Sequence, residues 1–492
     1  MTLPNKERRF ILNNRVLLFI PNTRWFGKRA WPMVNYASLI LTGLLKNHCV
    51  LKILDANGGD LSEDECRQRI TEFAPRIVMI PTLSFEYYKQ NHRAAEITKQ
   101  VSDDIITMMG GVYVTTMTDQ VMEDENVDIS FIGHAEERIG DLVDLILTGQ
   151  TAPPQWQSFQ GIGFRNDRGR VVINALESDI SQLKSLGEPD YSLFDMTPYI
   201  KYRWKKDFQF TFDDDYSIIV TSYGCPYDCV FCATRTITGK HIRFRSAESV
   251  INELEFLINS YGVRCFTFVD DCILFNRERI EDILNTIIEK ELNIKFKFLS
   301  ISVWHIDYAL IKLFKKAGCE FFVISVESGS ERVLKEVIRK PLKLESVFDV
   351  VRWAKETGII VATNWVIGFP TETWDEIRET FRLAEKLDAD YSVFHMATPL
   401  PKTRLYEQFK EMNFLPDYFS FKDEKIFGFA NSFVKTDEFT SFELKVLRSF
   451  EWDRINFSTP EKTELVAKLL NLTQKELEEH RKNTRINCGV YY

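Results

Sequence analysis

No run in this 492-residue chain approaches the ~18 consecutive apolar residues of a membrane span, and the opening MTLPNKERRF lacks the apolar core of a secretory signal. A cytoplasmic protein with no membrane partner is therefore expected. Basic charge is not in excess either: the net charge is −9, which offers no general attraction to nucleic acid, and no nucleic-acid partner is expected. The nine cysteines are odd in number and lack framework spacing, which excludes a disulfide scaffold and indicates a reducing compartment. Low-complexity tracts are absent, as are repeats other than an alternation of strand and helix signals. What remains is an ordinary globular composition, 45% hydrophobic and 27% charged, in a chain long enough for two or three domains that each have a core.

Six cysteines are scattered singly, but Cys225, Cys229 and Cys232 fall together in GCPYDCVFCA. Their spacing, C-x3-C-x2-C, also matches one face of a buried helix. Gly224 and Pro226 argue against that, because they end the β-rich run YSIIVT and describe a strand passing into a loop. Thiols on such a loop are available to a metal. Zinc usually takes four protein ligands, and the nearest further candidate, His241, lies nine residues beyond Cys232 with no second C-x2-C pair. Three thiolates suit an iron-sulfur cluster that keeps one iron open, since a [4Fe-4S] cluster ordinarily takes four cysteines.

From Tyr216 onward the strand-like runs YSIIVTS, CFTFVDD, KFKFLSIS, EFFVISVES, VATNWVIGFP and YSVFHMATPLP alternate with amphipathic segments such as AESVINELEFLINSYG and WDEIRETFRLAEKL. Six such units predict a parallel β/α architecture over residues 216–405, with its chemistry at the C-terminal strand ends. There the cysteines follow the first strand, Asp270 and Asp271 end the second, Ser302 and Trp304 follow the third, and Glu327 closes the fourth. Gly368-Phe369-Pro370-Thr371-Glu372 leaves the fifth. A carboxylate closing an apolar strand needs a partner, and a ligand is one candidate. Lys240, Arg243 and Arg245 suit an anionic substrate or, equally, a solvated loop.

Residues 1–150 carry a second α/β pattern, with strands RVLLFI, VLKILDA, RIVMIPT, DIITMMGG and VDISFIG, which predicts a doubly wound, Rossmann- or flavodoxin-like sheet. Gly110, Gly111 and Gly133 sit at its strand ends, where a nucleotide, a flavin or nothing at all fits equally well. Residues 151–215 read as a connector with a short hairpin signal, GIGFRNDRGRVVIN. Residues 406–492 read as helical, with Thr473 and Glu476 as a capping box and Phe450, Trp452 and Phe457 as core in preference to a substrate cover.

The pattern C-x3-C-x-aromatic-C, with Phe231 as the aromatic, resembles the signature of the radical SAM superfamily. The resemblance implies a partial (β/α)6 barrel with a [4Fe-4S] cluster on Cys225, Cys229 and Cys232. Its open iron would be chelated by the amino and carboxylate groups of S-adenosylmethionine (SAM), which the reduced cluster cleaves to a 5′-deoxyadenosyl radical. Val-Asp-Asp at 269–271 stands where the family often has Gly-Gly-Glu and looks like the cobalamin-dependent branch, so Asp270 or Asp271 is implied as acceptor for the methionine amino group. Glu327 in VESGS is similar to the residue that hydrogen-bonds the SAM ribose, and Gly368 to Pro370 to the segment beside the adenine.

The first half resembles the cobalamin-binding domain of that branch. MGGVYVTT, with Gly110 and Gly111, is similar to its glycine-glycine loop, and VDISFIGHAEERIGDL, with Gly133 and Glu136, to its G-x-x-E stretch. Other cobalamin domains carry D-x-H-x-x-G, whose histidine ligates cobalt; here the spacing reads Asn22-Thr23-Arg24-Trp25-Phe26-Gly27. Arginine keeps its proton and has no lone pair to give. The resemblance thus implies a lower cobalt face without a histidine from this loop.

Over about residues 15–410 the resemblance implies a cobalamin-dependent radical SAM methyltransferase. Its methyl group would pass from SAM through methylcobalamin to an unactivated carbon, or to phosphinate phosphorus, of a small natural-product-type substrate. VESGSERVLKEVIRKPLKLE is also similar to methylases of phosphonate and phosphinate natural products. An electron donor such as flavodoxin or ferredoxin is the implied partner. A non-methylating cobalamin-dependent radical SAM enzyme fits the same motifs. A methylthiotransferase would want three cluster cysteines in the first half, where Cys49 and Cys66 fall short. A non-catalytic cobalamin-binding protein would have no use for the cysteine triad.

Overall fold

The computed structural model describes residues 13–150, 153–176, 186–201, 215–423, 432–433 and 435–488. Two compact units emerge, the first Met1–Ile200 with Thr236–Arg245, the second Lys201–Arg235 with Ser246–Tyr492. Among the described residues no helix is long and apolar enough to cross a membrane.

The first unit is built on strands β1 (Arg15–Ile20), β2 (Val50–Asp55), β3 (Ile77–Thr82), β4 (Ile106–Gly111) and β5 (Ile129–Phe131). The runs RVLLFI and IVMIPT are apolar almost throughout because a parallel sheet is covered on both faces. The order β2-β1-β3-β4-β5, all parallel, is the flavodoxin-like order, whose progress reverses between β1 and β3. Strands β6 (Ile162–Arg165) and β7 (Val171–Ile173) then add to β5 in antiparallel fashion. The hairpin in the stretch read as a connector therefore extends this sheet. Leu18, Met79, Met108, Phe131, Leu142, Trp156 and Phe164 form its core. In such sheets a ligand approaches the C-terminal strand ends at the point of reversal, here the loops after β1 and β3.

The second unit opens with β8 (Tyr216–Ile219) and the short β9 (Ser222–Tyr223). The chain then gives the first unit its returning segment, which holds β10 (Arg243–Phe244). There follow β11 (Cys265–Phe268), β12 (Lys295–Ile301), β13 (Cys319–Glu327), β14 (Ile360–Ile367) and β15 (Tyr391–Met396). They form one parallel sheet in the order β8-β11-β12-β13-β14-β15, each strand beside its predecessor, with β8 and β15 as edges. The helices Ala247–Tyr261, Arg277–Glu289, Tyr308–Ala317, Leu344–Thr357 and Trp374–Leu387 make the crossovers. Phe268, Phe296, Phe298 and Phe314 pack in series with centroids 5.0 to 5.6 Å apart.

The expected strands overrun at their polar ends: CFTFVDD is strand only to Phe268 and VATNWVIGFP only to Ile367. After β13 the chain makes a π-helix, Val333–Ile338, that ends on left-handed Arg339 (φ 64). At the far end, Thr473 and Glu476 form the expected capping box on helix Gln474–Ile486. Trp452 is core, its Nε1 donating to Tyr391 Oη at 3.1 Å, whereas Phe450 stays exposed. Asn456 brackets the backbone of Ser392 (2.7 and 2.8 Å), so its amide covers part of the β15 edge.

Candidate functional site

The cysteine loop leaves β9 through Gly224, whose φ of 99 favours glycine and whose N–H donates to Asp271 Oδ2 at 2.9 Å. Main-chain bonds then fix it: Val230 donates to the Ile338 carbonyl (3.1 Å) and accepts from Leu405 (2.9 Å), and Cys232 donates to the Cys229 carbonyl (3.1 Å). Cys225, Cys229 and Cys232 are partly exposed free thiols within electrostatic reach of one another. A hydrogen bond from Cys272 lowers Cys225 to about 7, and the same bond with burial pushes Cys272 up. Burial pushes Cys229 up to about 12, partly offset by Lys340, and also raises Cys232. Among the described residues no three His, Cys, Asp or Glu side chains are gathered into a finished metal cage as they stand. The donor set nonetheless suits a cluster: three thiols on one loop, with a cation near Cys225 and Cys229 to offset thiolate charge.

The two aspartates divide. Asp270 is buried, and its Oδ1 accepts from Thr221 N (2.9 Å), Thr221 Oγ1 (2.7 Å) and Ser222 Oγ (2.7 Å). Burial pushes this carboxyl up to about 6 against those bonds and the charge of Arg279, and Oδ2 has no hydrogen-bond partner. Asp270 thus ties the end of β8 to β11. Asp271 instead holds Gly224, and its charge is felt at Cys225, Cys232 and Cys272.

Glu327 ends β13 at a register shift and holds φ 76, a conformation that costs a non-glycine residue energy. Its carboxylate accepts from Lys340 Nζ at 2.8 Å, and both side chains are only 7% exposed. Lys340 also lies 5.7 Å from the Trp304 ring centroid. Trp304 Nε1 donates to Tyr227 Oη (2.6 Å), which meets His305 Nε2 (2.7 Å). Tyr227 belongs to the cysteine loop, so the loop, Trp304, Lys340 and Glu327 form one continuous group. Lys340 and Cys272 were missed by the sequence analysis; a buried carboxylate closing an apolar strand was the signal that a cation must follow.

At the fifth strand end, Gly368 (φ 90) and Phe369 both donate their N–H to Glu372 Oε2, at 2.6 and 3.0 Å. A Cβ on Gly368 would stand 2.8 Å from Leu444 Cδ1. Burial pushes Glu372 up to about 8. Pro370 is buried, and Phe369 packs 5.8 Å from Phe231, the aromatic of the cysteine motif.

In the first unit, Asn22 donates to Asp60 Oδ1 (3.0 Å) and to the Leu61 carbonyl (3.2 Å). Arg24 pairs with Asp60 (2.7 Å) and donates to the Asn57 carbonyl (2.6 Å). Gly111 holds φ 107, and a side chain there would collide with the Thr82 carbonyl; Gly110 has ordinary room beside Phe131. Gly133 (φ 77) donates to Thr115 Oγ1 at 3.0 Å. Glu136 would be raised by burial, but His134 (3.6 Å) and Arg243 hold it below its ordinary value. Arg243 in turn meets His134 Nε2 at 2.9 Å, and Arg245 donates to Tyr36 Oη at 2.8 Å. Both arginines are buried, so the solvated-loop reading fails for them; Lys240 is exposed. Gly111 closes β4, and Asn22, Gly133 and Glu136 follow the C-terminal ends of parallel strands β1 and β5, the side of such a sheet on which an extended cofactor lies.

A family profile described as Radical SAM superfamily matches residues 219–384. The chain is 30% identical over 398 residues to "Uncharacterized methyltransferase PH0819" of Pyrococcus horikoshii, covering 80% of this chain and 82% of that one. It is 26% identical to an anaerobic magnesium-protoporphyrin IX monomethyl ester cyclase of Rubrivivax gelatinosus (87% and 75% covered). It is 25% identical to a cytidylyl-2-hydroxyethylphosphonate methyltransferase of Streptomyces wedmorensis (71% and 69%). Among solved structures, the cobalamin-dependent S-adenosylmethionine radical enzyme OxsB, with aqua-cobalamin and S-adenosylmethionine bound, superposes with a TM-score of 0.72. That superposition covers 97% of this chain and 72% of the other at 16% identity, a likeness of fold.

Proposed function

From the premise that the chain belongs to the radical SAM superfamily, we propose that it is a cobalamin-dependent methyltransferase moving a methyl group from SAM to an unactivated carbon of a small molecule. The observation that carries this reading is the continuous group of three loop thiols, Asp271 and the buried Glu327–Lys340 pair at the C-terminal ends of a six-stranded parallel sheet. In this reading the sheet is the partial (β/α)6 barrel and the flavodoxin-like unit is the cobalamin domain. When bound, the cluster supplies one-electron cleavage of SAM and cobalamin supplies a methyl carrier.

The protein's own residues bind and orient. Cys225, Cys229 and Cys232 hold the cluster, and Lys340 offsets their charge. Asp271, beside two of the thiols, accepts from the methionine ammonium, while Asp270 keeps β8 and β11 in register. Glu327, paired with Lys340 at 2.8 Å, accepts from a ribose hydroxyl. The turn Gly368 to Pro370, closed on Glu372, lies along the adenine. In the first unit Gly110, Gly111, Gly133, Glu136, Asn22 and Arg24 would hold the cobalamin, and Arg24, which keeps its proton, would supply no lone pair to a metal.

A substrate of phosphonate type finds support in the phosphonate methyltransferase relative, and a non-methylating reaction in the cyclase. The test is anaerobic reconstitution. The protein should be brown and oxygen-sensitive, with about four iron and four sulfide per chain. Replacing Cys225, Cys229 and Cys232 together by alanine should remove both the colour and 5′-deoxyadenosine formation. Full iron in that variant contradicts the assignment.

A further inference from the structure

Asp228 lies inside the cysteine loop, directly before Cys229, and three guanidinium groups converge on its carboxylate. Arg235 bonds Oδ1, while Oδ2 is met by Arg404 at 2.7 Å and by Arg339 at 3.6 Å. One arginine is enough to pin a carboxylate. Three leave the patch cationic, in a chain whose net charge is −9. The side chains are turned to water, with exposures of 35% for Arg235, 49% for Arg339 and 54% for Arg404.

Their distance from the cysteines is set by the main chain. Val230, next to Cys229, donates to Ile338, the neighbour of Arg339, and accepts from Leu405, the neighbour of Arg404. Arg339 holds φ 64, at a helix end where glycine or asparagine is usual, so a cation is kept there against local backbone preference. Its neighbour Lys340 turns inward to Glu327. The consecutive cations thus face opposite ways, Lys340 toward the thiols and Arg339 toward solvent.

We propose that the Arg235–Arg339–Arg404 cluster is the docking surface for an acidic protein that carries a one-electron donor, an inference that rests on Cys225, Cys229 and Cys232 holding the cluster. A cationic patch on an anionic protein steers an acidic partner to a face from which the cysteine loop is one main-chain hydrogen bond away. On docking, one electron leaves the reduced carrier, which is oxidised by one, and enters the oxidised cluster, which is reduced by one. No atom is exchanged.

The test is stopped-flow reduction of the reconstituted protein by flavodoxin hydroquinone across a range of salt, for the parent and for Arg339→Gln/Arg404→Gln. Dithionite serves as a small reductant, and iron content checks folding. The second-order rate constant with flavodoxin should fall about tenfold in the variant, with a shallower salt dependence. Dithionite reduction and iron content should stay as in the parent. An unchanged rate constant overturns the proposal, as does a parent rate that is indifferent to salt, a result that needs no variant. Variants that keep the flavodoxin rate but raise KM for an anionic substrate assign the patch to substrate and also overturn it. A parent that binds no iron, and forms no 5′-deoxyadenosine with dithionite, instead fails the cluster reading and takes the docking proposal with it.

Discussion

Glu372 is buried with two main-chain N–H groups on one oxygen and nothing on the other, and burial raises its carboxyl from 4.5 to about 8. The folded chain therefore holds a proton there, between those two values, that the unfolded chain releases. This stabilisation is complete below the unfolded value and is lost as pH rises through the folded one, at about 1.4 kcal/mol per pH unit. Glu372→Gln should flatten the pH dependence of thermal unfolding, its advantage over the parent growing from about pH 5 toward about pH 8 and levelling above that in calorimetry; parallel profiles contradict this. Glu327→Ala should weaken SAM binding by about 1.5–3 kcal/mol and also destabilise the fold, because Lys340 is left buried alone. Adding Lys340→Met should restore stability without restoring affinity, which titration calorimetry on reconstituted protein separates. If cobalamin binds as proposed, Arg24, held by Asp60 and the Asn57 carbonyl, has no lone pair to give cobalt, so cob(II)alamin with its own base displaced should lack nitrogen superhyperfine triplets in its EPR spectrum; triplets would assign that position to another nitrogen. The cysteines, Glu327 and the glycine turn were legible because each breaks an apolar run. Lys340 was not, since its role depends on a bond back to Glu327 across a π-helix.

Helix Trp374–Leu387 coincides with the segment read from WDEIRETFRLAEKL because its apolar period and its capping residues, Thr373 and Glu376, agree. The strand ends were less legible. CFTFVDD continues in pattern past Phe268, yet Asp270 and Asp271 leave the ladder to bond Thr221, Ser222 and Gly224, partners distant in the chain. The hairpin of residues 161–174 was seen as a hairpin but not as part of a sheet, because nothing local names β5 as its neighbour. Strand β4 ends on Gly111, whose φ of 107 and contact with Thr82 leave no space for a side chain. Gly111→Ala should cost about 2–4 kcal/mol in denaturant unfolding. A change within the noise would show that β3 and β4 part more easily than this packing implies.

At the scale of the whole chain, the six parallel strands of the second unit lie in sequence order, which alternation alone does not dictate, since the first unit alternates too and yet reverses between β1 and β3. The segment Thr236–Arg245 was not legible as part of the first unit, since its membership rests on buried Arg243 and Arg245 meeting His134 and Tyr36. Methyl transfer as proposed is followed by a single labelled substrate. Reconstituted protein with hydroxocobalamin and a reductant is given deuteromethyl-SAM and a cell extract without oxygen, and the products are weighed by mass spectrometry. The account predicts 5′-deoxyadenosine together with a product heavier by one trideuteromethyl group. 5′-Deoxyadenosine with no label in any product would contradict methyl transfer.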